Sequence, residues 1–285
     1  MKNKPIKIAV IGGSGLYSLN ELENVKKLKI KTPFGLPSDA IVAGEISGVQ
    51  VAFLPRHGCG HRMFPAEIPQ RANIYALKSL GVETIIGVSA VGSLKEEIKP
   101  RHFVFPDQLV DETKGRVSTF FGNGIVAHVS FAEPFCKCLS ETLYKGAKEL
   151  GIASHKGGTI ICMEGPQFST KAESDYHRKM GYSIIGMTVS PEAKLAKEAQ
   201  MCYAPVSLVT DYDAWKENEE VTATMVIETM RSNIESVKKL IVHSIPEIAK
   251  MQKNCRCAHA MQGAVFTDSK YISKKTSSRL KLLLK

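Results

Sequence analysis

The segment PQRANIYALKSLGVETIIGVSAVGS, residues 69–93, decides the fold. Its first half predicts a helix that ends at Gly81, because glycine readily adopts the left-handed conformation that closes many helices. Its second half is a nearly continuous run of apolar, largely β-branched residues, which is typical of a strand that is buried on both faces. A helix followed at once by such a strand predicts a sheet that is covered by helices.

The same alternation recurs along the chain. Further strands are predicted within residues 6–11, 49–55, 158–166, 183–192 and 203–213, with helices before Gly151, after residue 192 and near 221–243. This pattern indicates an α/β fold with one mixed or parallel sheet flanked by helices. We expect one main domain over residues 1–250, followed by a tail over residues 251–285.

Composition restricts the class of protein. The chain has 285 residues, of which 44% are hydrophobic and 23% charged, as in ordinary globular proteins. No stretch approaches the roughly 18 consecutive apolar residues that a membrane span needs. The apolar run near the N-terminus is too short for a signal peptide, so we expect a cytoplasmic protein with no membrane partner.

The positive charge is concentrated in the tail. Residues 250–285 contain nine Lys or Arg and one Asp, which accounts for most of the net charge of +10. The body is therefore nearly neutral, and we expect no nucleic-acid partner. The bland interpretation, a loosely ordered terminus, is favoured for the tail, and removal of residues 266–285 is expected to leave catalysis intact.

The cysteines predict neither a metal nor a cofactor site. There are seven, at positions 59, 136, 138, 162, 202, 255 and 257, and an odd number in such a chain favours reduced thiols. Two Cys-x-Cys pairs occur. Neither has the Cys-x-x-Cys doublets or histidine partners that make a zinc site persuasive.

Polar clusters fall at or just beyond the predicted carboxyl ends of five strands. They are GGSG, RHG, SAVGS, MTVSPE and TDYD. In open α/β sheets, ligands bind in the crevice outside these ends. The clusters therefore predict a single site at one edge of the sheet.

Several of these clusters suit an anion. GGSGLY (12–17) is an incomplete dinucleotide fingerprint, because Ser18 stands where the third glycine belongs. A phosphate cradle of backbone N–H groups and the Ser14 hydroxyl is favoured over a cofactor loop. Arg56 adds a planar fork of donors and His57 a second donor. Ser89, Ala90 and Thr188 would complete the pocket.

Two further features suggest a second half of the site. Asp211 and Asp213 alternate along a strand end and would share one side of it. Two carboxylates that are close together and partly dried disfavour each other's ionisation. Phe168 lies in the polar loop EGPQFST, where an aromatic ring is either a small core plug or a stacking surface for a flat ligand.

Ten strings, in this order and spacing, resemble the 5′-methylthioadenosine phosphorylase family of the purine nucleoside phosphorylase superfamily. They are GGSGL, TPFGxPSD, RHG, RANIYALK, AVGSL, AHVSFAEPF, EGPQFST, GMTVSPE, AKEAQMCYA and VTDYDAW, spread over about residues 6–245. The resemblance implies a nucleoside phosphorylase-like mixed sheet, a nucleoside and inorganic phosphate as substrates, and no organic cofactor. It implies a phosphate site at Ser14, Arg56, His57, Ser89, Ala90 and Thr188.

The resemblance also implies the nucleoside contacts. Met187 would hold the ribose through its backbone, Phe168 would lie against the purine, and Ile227 would line the 5′ pocket. His128 would reach the site from a neighbouring subunit of a trimer or a dimer of trimers. Asp211 and Asp213 would meet the purine edge.

The implied chemistry is phosphorolysis. Phosphate attacks the anomeric carbon through an oxocarbenium-like transition state while Asp211 protonates the leaving purine at N7. An ionised Asp at this edge accepts from a 6-amino group and mismatches a 6-oxo group. The alternatives are a phosphorylase acting chiefly on adenosine, one acting on inosine or guanosine, and a non-catalytic nucleoside-binding regulator.

Three positions refine the resemblance. Cys255-x-Cys257 is similar to the archaeal-type, broader-specificity branch, in which such a pair can form a local disulfide. Gln167 stands where many relatives have Arg, and Thr224 stands where several have an apolar residue beside the 5′-alkylthio group. These departures predict that adenosine, with a plain 5′-hydroxyl, is also accepted.

Overall fold

The computed structural model describes residues 5–13, 16, 19–217, 222–252 and 255–284. The strands are β1 (Ile8–Gly12), β2 (Glu23–Leu28), β3 (Ile41–Ile46), β4 (Val49–Pro55), β5 (Thr84–Ser93), β6 (Phe103–Phe105), β7 (Gln108–Asp111), β8 (Ser154–Lys156), β9 (Thr159–Cys162), β10 (Ile184–Gly186) and β11 (Cys202–Asp211). The helices are α1 (Gln70–Ser79), α2 (Lys137–Glu149), α3 (Lys171–Lys179), α4 (Val189–Glu198), α5 (Ala223–Lys250) and α6 (Lys274–Leu280).

One mixed sheet organises the molecule, which confirms the predicted fold class. Its main path runs β2-β3-β4-β1-β5-β10-β9-β7. Off this path, β11 pairs with β5 and β6, and β6 pairs with β8. The central strands β4, β1, β5 and β11 are parallel, whereas β10 is antiparallel to β5. The carboxyl ends of the four parallel strands therefore meet at one edge of the sheet.

The long strand β5 has an interrupted edge. β11 pairs with one edge of β5 continuously from Thr84 to Gly92. On the other edge, β1 pairs with residues 84–87 and β10 pairs with residues 92 and 93. β1 and β10 approach from opposite directions and stop short of each other, so residues 88–91 face a gap between their ends.

Helices cover both faces of the sheet. α1 and α4 bury Leu77 and Leu195 on one face together with Ala9 and Ile11 of β1. α2 and α5 bury their apolar residues on the other face, together with the alternate residues of β1. Because neighbouring strand residues point to opposite faces, a strand covered on both sides must be apolar throughout, as β1 is.

One local prediction is confirmed and one is wrong. Residues 89–93, SAVGS, form the carboxyl end of β5, as predicted. Asp211 and Asp213 do not simply alternate along β11. The register with β5 shifts at Thr210, β11 ends at Asp211, and Asp213 occupies a turn with φ +52°. A bulge adds one residue and re-aims the side chains that follow it.

The C-terminal extension, residues 255–284, is ordered, so the expectation of a loose terminus is wrong. Leu280 and Leu283 are fully buried in the same core cluster as β1. Earlier in the extension, residue 265 forms a β-bridge with residue 127. The many charges of this segment and the shortness of its apolar run, RLKLLLK, concealed this packing in the sequence.

Within the described residues, no helix has both the length and the apolar character that crossing a bilayer requires.

Substituting Leu280→Ala should destabilise the protein by about 2–5 kcal/mol, because it leaves a cavity in a core that cannot collapse fully. Urea denaturation monitored by circular dichroism measures this change. Lys275→Ala, at an exposed position of the same helix, is the matched control and should leave the unfolding midpoint unchanged. Equal midpoints for both variants would show that α6 does not contribute to the core.

Candidate active site

A buried arginine lies at one end of the gap beside β5. Arg56 follows β4, and its backbone N–H donates to the carbonyl of Gly12 at the end of β1 over 2.8 Å. Its guanidinium donates to the carbonyl oxygens of Val88 at 2.6 Å and Ile11 at 3.3 Å. One side chain thus connects the carboxyl ends of β1 and β4 to the exposed edge of β5.

Glu192 of α4 neutralises this arginine. Nε and Nη2 of Arg56 donate to the two carboxylate oxygens at 2.9 and 2.8 Å, and Tyr203 donates to the same carboxylate at 2.8 Å. Burial alone would lower the pKa of Arg56, but the charge and hydrogen bonds of Glu192 raise it. The fork therefore faces a carboxylate, and four of its five N–H groups are engaged by described residues.

His57 is a neutral histidine with a defined tautomer. Its Nδ1 lies 2.8 Å from the carbonyl of Met63, and a carbonyl only accepts, so Nδ1 carries the proton. Burial first, and then the positive charge of Arg56, lower the pKa of His57 to about 4. Nε2 therefore presents a lone pair at neutral pH. The ring of His61 stacks on that of His57 with 4.2 Å between centroids.

The gap gathers the predicted phosphate residues that the structure describes. Ser89 and Ala90 lie on the unpaired part of β5 and are half-buried. Thr188 is buried directly after β10, which ends beside this stretch, because Ile185 pairs with Gly92. The predicted Ser14 lies outside the described residues, although β1 brings the chain to this edge at Gly12.

Asp211 is held in conditions that favour its neutral form. It is only 6% exposed, and burial raises its pKa, while hydrogen bonds from Thr210 and the backbone of Asp213 oppose that shift. The negative charge of Asp213 adds a smaller increase to the pKa. The backbone N–H of Asp213 donates to Oδ1 of Asp211 over 2.8 Å.

The bulge residue Thr210 contacts the same carboxyl group. Its hydroxyl lies 2.7 Å from Oδ2 of Asp211 and 3.2 Å from the carbonyl of Val91. A hydroxyl has one proton and cannot donate to both oxygens. Donation over the shorter contact, to Oδ2 of Asp211, opposes the rise in pKa that burial causes.

Asp213 complements this arrangement. It is 5% exposed, and its Oδ2 has no hydrogen-bond partner among the described residues. A buried acceptor without a partner is costly, so this oxygen suits a ligand that brings a donor. The pair packs tightly against Gly92, where an added Cβ would lie 2.9 Å from Oδ1 of Asp211.

Arg116 is a site residue that sequence reasoning missed. Its guanidinium is almost fully buried and donates to the Glu164 carboxylate at 3.0 Å and to the backbone carbonyl of Glu164. It also donates to the carbonyl oxygens of Met187 at 2.7 Å and Ser190 at 3.1 Å. It thus fixes the loop after β9 to the loop after β10. A lone arginine in a polar loop gave no signal in the sequence.

The other predicted ligand contacts are more open. Met187 is half-buried directly after β10, with its carbonyl held by Arg116. Phe168 is 44% exposed on the loop after β9, and Ile227 is 54% exposed on the first turns of α5. His128 is also exposed, and its ring meets that of Phe266 edge-on at 4.9 Å. The exposure of Phe168 does not support its interpretation as a core plug. Nor do these positions support a contact between His128 and the gap of the same chain.

Known proteins resemble this chain over nearly its whole length. Residues 7–246 match the family described as "Phosphorylase superfamily". The S-methyl-5′-thioadenosine phosphorylase of Geobacter sulfurreducens is 50% identical over 279 residues, which is 97% of each chain. The enzyme of the same name from Hyperthermus butylicus is 55% identical over 252 residues, covering 88% of this chain and 92% of the relative.

Solved structures agree in fold. A methylthioadenosine phosphorylase sourced from an antarctic soil metagenomic library superposes with a TM-score of 0.95 at 49% identity, covering 99% of both chains. The methylthioadenosine phosphorylase of Schistosoma mansoni in complex with adenine has a TM-score of 0.85 at 36% identity, covering 90% of this chain and 96% of that one.

Substituting Glu192→Gln should cost about 3–5 kcal/mol in the free energy of unfolding, because it leaves the buried cation of Arg56 without its counter-charge. Urea denaturation at neutral pH measures this loss. Glu133→Gln removes an exposed carboxylate that pairs with Lys137 and should leave stability unchanged. Similar stabilities for the two variants would show that the buried pair is not essential to the fold.

Proposed function

The chain belongs to the methylthioadenosine phosphorylase family of the phosphorylase superfamily, and from that premise we propose that it cleaves 5′-methylthioadenosine with inorganic phosphate. The products are adenine and 5-methylthioribose 1-phosphate. The observation that carries this proposal is the buried Asp211, whose pKa burial raises and which lies beside Asp213. That pair supplies both a proton for the leaving base and a recognition group for its 6-amino substituent.

Phosphate binds in the gap beside β5. The hydroxyls of Ser89 and Thr188 and the amide of Ala90 surround it with donors. The sequence adds Ser14, which lies outside the described residues. Arg56 keeps one Nη1 proton beyond those engaged by described residues. Its paired charge shapes the pocket more than it attracts the anion, because Glu192 cancels most of that charge. His57 accepts at Nε2, so it binds an oxygen of phosphate that still carries a proton.

The nucleoside lies between the phosphate and Asp211. Phosphate attacks C1′ while the C1′–N9 bond breaks, and the oxocarbenium-like sugar is stabilised by the adjacent anion. Negative charge moves onto the purine, and Asp211 transfers its proton to N7.

Base selection follows from Asp213. Its unpartnered Oδ2 accepts a hydrogen bond from a 6-amino group. A 6-oxo group would place a second acceptor against this buried oxygen, and such a mismatch discriminates strongly. Phe168 would cover the purine face, and the Met187 backbone would meet the ribose. Adenosine remains the second substrate, because Thr224 on the exposed start of α5 offers a hydroxyl near Ile227.

The active form would be a homo-oligomer, a trimer or a dimer of trimers. Val126 and Phe266 flank His128 and are 48% and 72% exposed. Exposed apolar side chains beside an open pocket are typical of a surface that another subunit covers. Such a subunit would bring His128 to the 5′ end of the nucleoside, where Ile227 is also exposed.

Release of free base from methylthioadenosine, adenosine and inosine, with and without phosphate, tests the function. We expect phosphate-dependent release from methylthioadenosine, weaker release from adenosine and little from inosine. Base release that does not need phosphate would exclude phosphorolysis, since water would then be the nucleophile. Binding without turnover would favour a regulator.

Substituting Asp211→Asn should lower kcat for 6-amino nucleosides at least about a hundredfold, because the asparagine has no acidic proton to transfer. Asp213→Asn is the matched control and should reduce the preference for adenosine over inosine more than it reduces kcat. Steady-state kinetics on both nucleosides measure these effects, and full activity of the Asp211 variant would remove its role as proton donor.

Asp211→Asn should be more stable than the wild type at neutral pH. Because burial raises the pKa of Asp211 above its unfolded value, its contribution to stability is present in acid and is lost as pH rises through the folded pKa. Asparagine keeps both hydrogen bonds without ionising. Thermal denaturation across pH should show a gain at neutral pH that disappears in acid; a loss at neutral pH would contradict the raised pKa of Asp211.

Substituting His57→Ala should raise the KM for phosphate by about tenfold or more, since it removes one hydrogen bond to a charged ligand. The KM for the nucleoside should change little. His61→Ala, which removes the exposed ring stacked on His57, serves as the control. A rise in the nucleoside KM alone would place His57 outside the phosphate site.

A further inference from the structure

Four thiols that are far apart in sequence meet at one point, away from the site beside β5. Cys136 precedes the first residue of α2, Cys202 is the first residue of β11, and Cys255 and Cys257 lie in the segment after α5. All four Sγ atoms lie within 4.8 Å of one another, and those of Cys202 and Cys255 are 3.4 Å apart.

The spacing matches a metal-binding geometry. A tetrahedral zinc site with Zn–S bonds of about 2.3 Å has sulfur–sulfur edges of roughly 3.8 Å. The four sulfurs, one pair at 3.4 Å and all within 4.8 Å of one another, bracket this value, and small rotations of the side chains would equalise their distances. All seven cysteines are free thiols in the structure, so none of the four is committed to a disulfide.

The surroundings indicate a closed site. Cys136, Cys202 and Cys257 are buried, and Cys255 is half-buried. Structural zinc sites have four protein ligands and no open position for a substrate, whereas catalytic zinc sites keep one. Buried thiols can also be inert small hydrophobes, but four converging sulfurs from three separate parts of the chain give a complete ligand set.

We propose that Cys136, Cys202, Cys255 and Cys257 bind one zinc ion as a structural tetrathiolate site. Each thiol releases its proton on binding, so the complex carries two net negative charges. The neighbouring cations Lys197 and Arg256 offset part of this charge, and the Nζ of Lys197 is held close to the start of α2 by the carbonyl of Glu133 at 3.1 Å.

The ion would fasten the C-terminal extension to the core. The extension leaves α5 through Cys255 and Cys257, bridges residue 127 at Val265 and ends in the buried leucines of α6. Cys136 and Cys202 belong to elements inside the core. The ligand at the start of β11 is far along the strand from Asp211 at its end, so the ion acts on stability and not on the chemistry.

Sequence spacing gave no indication of this site. The four ligands include only one close pair, the Cys-x-Cys of the tail, and the other two are contributed singly by distant segments. The expectation of no metal rested on the absence of Cys-x-x-Cys doublets. The local disulfide implied for Cys255 and Cys257 is the competing use of the same thiols.

Elemental analysis of the purified full-length protein, expressed with zinc in the medium, tests the proposal without any substitution. We expect about one zinc ion per chain. Titration of thiols after denaturation in chelator should then count all seven cysteines. Absence of metal with all thiols free would overturn the proposal, and so would a reduced thiol count, which would assign these cysteines to disulfides.

Variants locate the ion. Cys257→Ser and Cys202→Ser should each lose most of the bound zinc, whereas the exposed Cys59→Ser should retain it. Cys138→Ser tests the half-buried thiol next to the cluster and should also retain zinc. Equal zinc contents in all four variants would place the metal elsewhere and overturn the proposal.

Cobalt provides a spectroscopic test that does not depend on the folding of a variant. Wild-type protein grown with cobalt in place of zinc should show the visible d–d bands and thiolate-to-cobalt charge transfer of a tetrahedral tetrathiolate. Stripping the metal should lower the melting temperature by roughly 5 °C or more, with recovery when zinc is added back. A cobalt spectrum typical of octahedral oxygen ligation would overturn the assignment.

Discussion

The buried ion pair of Arg56 and Glu192 is the interaction on which the rest of the structure depends. It joins the ends of β1 and β4, the edge of β5, α4, and β11 through Tyr203. A guanidinium at the centre of an apolar sheet is tolerated only when its charge and most of its donors are matched. Tyr203 can reach this pair because residue 87 is glycine. A Cβ at Gly87 would clash with the Tyr203 hydroxyl at 2.2 Å.

That pair also explains why a crevice exists at all. A sheet normally saturates both edges of an internal strand, but β5 changes from a parallel to an antiparallel neighbour along one edge. Between them Arg56 occupies the Val88 carbonyl, and the remaining peptide groups and small side chains are left for a ligand. The reversal of strand direction is a switch point of the kind at which α/β proteins bind ligands.

The sequence predicted the features that depend on local pattern. Strands such as β1 and β11 and helices ending at Gly81 and Gly151 were found because apolar runs and glycine stops are visible without tertiary information. The strand β2 was not, because it is an exposed edge strand with charged residues, including Lys26 and Lys27, and has no apolar period.

The residues of the site were also predicted only where a local pattern marks them. Arg56, His57, Asp211 and Asp213 were identifiable as polar residues beside strand ends. Their states were not. The tautomer of His57, the partner of Arg56 and the raised pKa of Asp211 depend on the Met63 carbonyl, on Glu192 and on burial, which only the folded chain provides. Arg116 and the thiol cluster were missed because tertiary structure alone assembles their partners.

The docked C-terminal extension has a consequence for folding kinetics. Leu283 and Ala9 share one core cluster, so contacts that complete this core join segments from opposite ends of the described chain. Closing so long a loop costs entropy before any contact repays it, and folding rates fall as the mean sequence separation of contacts grows. The central sheet would therefore form first and expose part of its apolar face until α6 arrives. During that interval, the apolar surface that Leu280 and Leu283 later cover is the one most open to association between partly folded chains.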